Sequence, residues 1–90
     1  MTRFRDNGIT AAFSEVLKEL RDAEGLSQDE LALIAGIDRT SISRLEAGSR
    51  QPSLGLIFLI AQAVDRTPQK VVAMVHSRWS KRQNLSDVIE

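Results

Sequence analysis

The 90-residue chain carries twelve Lys and Arg against twelve Asp and Glu, with 42% hydrophobic and 27% charged residues. That size and balance fit one globular module with a single modest core, and they exclude a low-complexity chain or a two-domain enzyme built around an interdomain cleft. With no cysteine and one histidine, disulfides, thiolate metal sites and histidine metal clusters are excluded as well, so no metal or cofactor is expected and a reducing cytoplasm is the expected compartment.

In chain order, the opening "MTRFRDNGITAAF" lacks the continuous apolar core of a signal peptide. Phe13, Val16, Leu17 and Leu20 then fall at i, i+3, i+4 and i+7, which predicts an amphipathic helix from about Thr10 to Glu24, ended by Gly25. Ser27 with Glu30 three residues on is a capping box, so a second helix is predicted over Gln28 to Ala35. Gly36 can take positive φ without steric cost, and Asp38 offers an acceptor to the free amides of a third helix beginning at Arg39.

Gly48 and "SRQP" read as a loop, and Ser53 caps a fourth helix over Leu54 to Val64. At about 100° per residue its apolar side chains cover nearly the whole circumference, which predicts a central helix buried on most sides. The apolar run Leu54 to Ala61 is far too short to span a bilayer, and no membrane role is expected. Thr67 and Pro68 open a fifth helix that continues through Val71, Val72, Val75 and Trp79 to about Arg82, while "NLSDVIE" carries no signal. No segment alternates apolar and polar residues at period two. The predicted class is all-α: five short helices in a single domain, 1–90, with a core at 10–75 and a C-terminal helix extension and tail at 76–90.

The charge sums to zero but is unevenly spread. Glu15 to Glu30 holds six acids and two bases, Arg66 to Arg82 five bases and no acid, and Arg39 to Arg50 three arginines and one glutamate. Phosphate affinity depends on such clustering rather than on the sum.

Helices 2 and 3 with the turn at Gly36 have the pattern of a helix-turn-helix over 28–47. Leu31, Ala35, Ile37, Ile42 and Leu45 are apolar, Ala32 is small where the helices approach, and glycine stands at the turn. "GLSQDELALIAGIDRTSISRLEAGSRQPSL" resembles the lambda-repressor-like, Xre-type transcriptional regulators, and "DRTSISRLEAGSRQPSL" also resembles the controller proteins of restriction-modification systems. The resemblance implies a five-helix lambda-repressor-like fold that binds double-stranded DNA.

Helical geometry gives helix 3 two faces. With Arg39 at 0°, Ser43, Ala47, Thr40 and Arg44 lie between about 40° and 140°, whereas Ser41, Leu45 and Ile42 lie between about 200° and 300°. The first arc is suited to a groove: arginines can fork onto guanine edges or phosphates, and hydroxyls both donate and accept. In similar proteins the residues matching Arg39, Thr40 and Arg44 contact base edges, and the one matching Gln28 anchors helix 2 on a phosphate. Ser43 and Arg50 are read as backbone contacts, Arg50 because it follows helix 3 in a loop. Where the family often has glutamine this chain has Arg39, and guanine is the simplest base for it. The resemblance also implies a partly buried ion pair between Arg21 and Glu46.

Trp79 among Arg78, Lys81 and Arg82 admits two readings, a grip on nucleic acid or a dimer anchor; the shared face of Val72, Val75 and Trp79 favours the dimer. The expected function is a sequence-specific regulator that binds a pseudo-palindromic operator as a homodimer and controls its own gene by occupancy. The alternative is an antitoxin or adaptor whose task is to bind a protein partner, with a toxin or RNA polymerase as candidates. No catalytic constellation is recognisable, so no catalytic residue is assigned and an enzyme is not expected.

Overall fold

The computed structural model describes the backbone of residues 7–89 and the side chains of residues 8–83. Residues 1–6, which open the segment read above for a signal peptide, lie outside the described residues, as do the side chains of the tail. Five helices follow one another: α1 (Asn7–Ala23), α2 (Gln28–Ala35), α3 (Arg39–Glu46), α4 (Leu54–Ala63) and α5 (Pro68–Ile89). No strand occurs among the described residues.

Local hydrogen bonding sets the helix starts. Ser27 Oγ accepts from the Glu30 backbone N–H at 3.0 Å while Glu30 Oε1 accepts from the Ser27 N–H at 2.8 Å, which closes the capping box of α2. Asp38 caps α3 by accepting from the Ser41 N–H at 3.3 Å and from its hydroxyl at 2.8 Å. Ser53 and Thr67 accept from the Leu56 and Lys70 N–H groups, each at 3.1 Å, and start α4 and α5. Each cap satisfies a backbone donor that the first helical turn leaves without a partner.

Phe13, Val16, Leu17 and Leu20 of α1 pack against Leu31 and Ala32 of α2, Ile42 and Leu45 of α3, Ile60, Ala61 and Val64 of α4 and Val71 of α5. One core therefore collects every helix. Three arginines lock its margins. Arg66 Nη1 donates to the Val64 carbonyl at 2.7 Å and to Glu24 at 3.2 Å, tying the α4–α5 turn to the end of α1. Across the other side Arg78 pairs with Glu15 and Glu19, and Arg82 with Glu15.

The structure corrects three expectations. Helix α4 is not buried on most sides: only Ile60 and Ala61 are enclosed, and Leu54 is 68% and Phe58 53% exposed. A ten-residue helix placed at the edge of a small core has neighbours on one side only, however apolar its circumference. Helix α5 runs to Ile89 rather than stopping near Arg82, because no glycine or proline follows Pro68 to break it. Helix α1 begins three residues earlier than its apolar spacing suggests, since backbone helicity extends past the last side chain that packs.

Between α2 and α3 the chain turns at Gly36, which sits at φ 72° and donates its N–H to the Ala32 carbonyl. A Cβ there would meet no atom within 4 Å, so only the left-handed backbone resists a side chain. Gly36→Ala is expected to lower stability by about 1–2 kcal/mol, read as a drop in the urea midpoint with an unchanged slope.

Candidate nucleic-acid interface

The buried arc of α3 consists of Ile42, Leu45 and Glu46. Glu46 is a carboxylate only 4% exposed, and three N–H groups meet it. Arg21 reaches it from α1 through Nε to Oε2 at 2.5 Å and Nη2 to Oε1 at 3.0 Å, a forked pair. Gln28, first residue of α2, donates Nε2 to Oε1 at 3.0 Å. The third nitrogen of the guanidinium, Nη1, donates to the Leu26 carbonyl at 2.8 Å. One carboxylate thus joins α1, the α1–α2 turn, α2 and α3, and its hydrogen bond raises the Arg21 pKa above the usual value.

Burying a charge is tolerable only when it is paired and its lone pairs are satisfied. Here both conditions hold, and among the described residues no buried side-chain polar atom lacks a partner.

The opposite arc of α3 faces solvent. Arg39, Thr40, Ser43, Arg44 and Ala47 are exposed. Thr40, Ser43 and Arg44 carry no side-chain partner among the described residues, whereas Arg39 Nε lies 3.3 Å from Asp29 Oδ1 of α2. Ser41 stands at the boundary, half-buried, with its hydroxyl donating to Asp38 and accepting from Arg50 Nη1 at 3.0 Å. The Ser41 hydrogen bond, with the Arg50 charge assisting, holds the Asp38 carboxyl below the usual carboxylate range. Arg50 is thereby drawn from its loop to the start of α3.

All six residues read as DNA contacts therefore gather around one helix. Gln28 is fixed at one end through Glu46, Arg39 is held by Asp29 and Arg50 by Ser41, while Thr40, Ser43 and Arg44 project without internal ties. Asp29 and Ser41 were not singled out by sequence, because their roles arise from side chains on other segments. The spacing of Asp29 and Arg39 in the chain gives no signal of their meeting.

A model of the HTH_3 family, described as helix-turn-helix, matches residues 17–71, which covers α2, α3 and α4 with the end of α1 and the start of α5. The chain belongs to this helix-turn-helix family. It is 40% identical to the restriction-modification controller protein C.AhdI of Aeromonas hydrophila, with a TM-score of 0.66 over 69% of this chain and 94% of that one. It is 30% identical to the control protein C.SmaI of Serratia marcescens over 64 residues, 71% of this chain and 76% of that protein. An uncharacterised HTH-type transcriptional regulator of Sinorhizobium fredii is 29% identical over 84 residues, and the matched part is 43% of that protein's length.

The residues read as a dimer surface do not share one environment in this helix-turn-helix protein. Val72 is exposed, Val75 packs against the core, and Trp79 is half-buried with its ring 6.1 Å from that of His76. The basic stretch around Trp79 is likewise not a free patch, since Arg78 and Arg82 are engaged by α1 carboxylates, and Glu19 above all raises the Arg78 pKa. An open apolar groove of about 690 Å³ is lined by Phe58, Pro68, Gln69, Val72, Ala73 and His76.

Removing either partner of the enclosed ion pair strands the other. Glu46→Ala and Arg21→Ala are each expected to cost about 3 kcal/mol, and the double variant distinctly less than the sum. Urea denaturation of the four proteins checks this; strictly additive losses would mean the pair contributes nothing as a pair.

Proposed function

We propose that the protein is a sequence-specific double-stranded DNA-binding transcriptional regulator, with α3 as the helix that enters the major groove. The observation that carries this is the division of α3 into an enclosed arc braced by Arg21 and Glu46 and an exposed arc bearing Arg39, Thr40, Ser43 and Arg44. A helix held rigidly on one side can present base-reading donors at fixed positions on the other. Arg39 and Arg44 read guanine edges, Thr40 a base edge, and Gln28, Ser43 and Arg50 the flanking phosphates. Gln28 Nε2 has two N–H groups, and Glu46 takes one of them, which leaves the second for a phosphate oxygen.

The reading extends to a homodimer on a pseudo-palindromic operator, with recognition helices about 34–36 Å apart. Leu54, Phe58 and Leu59 of α4 and Val72 of α5 remain exposed. Apolar surface of this kind, with the groove beside it, suits a second copy of the chain. Val72 thus stays in the proposed interface, Phe58 becomes its centre, and Val75 passes to the core. Occupancy of the operator would block or recruit polymerase, and control of its own gene by concentration is the simplest arrangement.

A protein-partner role as adaptor or antitoxin would draw on the same groove and on Leu33 of α2, 84% exposed. Gel shifts on the DNA upstream of the gene separate the two. A specific complex at moderate salt, with Arg44→Ala losing about 1–3 kcal/mol and relaxing preference at one operator position, supports the DNA reading. No specific complex, or an Arg39/Arg44 double-alanine variant indistinguishable from wild type, overturns it. In sedimentation, Phe58→Glu is expected to convert a dimer to monomer while leaving the helical content intact; an unchanged dimer would put the interface elsewhere.

A further inference from the structure

Three carboxylates, Asp29, Glu30 and Asp38, lie in the first turn of α2 and at the cap of α3, and two of them are already committed. Glu30 accepts the Ser27 N–H in the capping box, and Asp38 takes both the N–H and the hydroxyl of Ser41. Asp29 is different. It is exposed, and among the described residues its one ion-pair partner is Arg39, whose Nε lies 3.3 Å from Oδ1. Both side chains are exposed and the contact is an ion pair without a hydrogen bond, so the guanidinium N–H groups of Arg39 have no hydrogen-bond acceptor among the described residues.

A guanidinium can present two parallel N–H groups either end-on, through its terminal nitrogens, or side-on, through Nε and one terminal nitrogen. Guanine accepts such a pair on O6 and N7. The ion pair with Asp29 holds the guanidinium at the α2–α3 junction without using up its N–H groups, which stay available for such a fork. We propose that Asp29 is a positioning residue for base reading by Arg39: its ion pair restrains the long side chain across the α2–α3 junction and holds the guanidinium where it can fork onto a guanine. Its charge has a second consequence. A carboxylate beside the base-reading face repels phosphates, so a backbone-only docking in which Arg39 turns to the phosphates is disfavoured against the base-reading one.

This inference rests on α3 reading DNA. An acid in the first turn of a helix also complements the helix dipole, but that role would change stability and leave base preference alone. The two are separated by enriching a randomised duplex library with wild type, Asp29→Ala, Asp29→Asn and Arg39→Ala, alongside thermal denaturation of each protein. Arg39→Ala should erase preference at one operator position. Both Asp29 variants should lower guanine preference at that same position by about two- to five-fold, leave the other positions as in wild type, and bind non-operator duplex as well as wild type or better. Asp29 variants with an unaltered base profile, while Arg39→Ala changes it, would overturn the proposal and leave α3 as a DNA-reading helix. A wild-type protein that enriches no sequence would instead remove the DNA reading itself, and the role of Asp29 with it.

Discussion

The enclosed Glu46 carboxylate is the point on which the arrangement depends. Hydrophobic packing alone holds α3 by Ile42 and Leu45, two side chains on a helix of eight residues. Two apolar anchors leave rotation about the helix axis weakly defined, because burial energy depends on area and not on direction. The forked Arg21 pair and the Gln28 amide add directional bonds at the far end of the helix. They fix α3 against α1 and α2 at once, and the exposed arc inherits its orientation from that fixation. A charge placed in the interior thereby contributes directional bonds, which hydrophobic side chains of the same volume lack.

Around this hub the charges sort into internal partners and open ones. The acid-rich first helix and the base-rich fifth look in the sequence like opposite ends of a polarised molecule. In the fold they neutralise one another, Glu15 and Glu19 against Arg78 and Arg82. The face of α3 stays open to a polyanion: among the described residues the Arg44 side chain has no partner, Arg39 is held by the exposed Asp29 and Arg50 by the half-buried Ser41. Zero net charge is compatible with an open basic face on α3 for that reason: Glu15, Glu19 and Glu24 are paired with Arg66, Arg78 and Arg82.

The apolar surface follows a similar logic. Helix α4 contributes Ile60 and Ala61 to the core yet leaves Leu54, Phe58 and Leu59 in solvent. Such exposure is costly for an isolated domain of this size and is readily understood if another protein surface covers it. A second copy is the occupant that the proposed operator symmetry requires.

Local chemistry was legible in the sequence wherever it acts between near neighbours. The caps at Ser27, Asp38, Ser53 and Thr67, the turn at Gly36 and the two faces of α3 follow from hydrogen bonds and spacings within a few residues, and the structure shows each in place. The helix-turn-helix family was legible for the same reason, since its pattern is a short run of packing positions. Burial of α4 was not, because an apolar circumference says what a helix could bury and not how many neighbours it has. Nor were the links from Asp29 to Arg39, Ser41 to Arg50 and Glu19 to Arg78. These join side chains whose meeting depends on the crossing of helices or the path of a loop, and only the tertiary structure decides those.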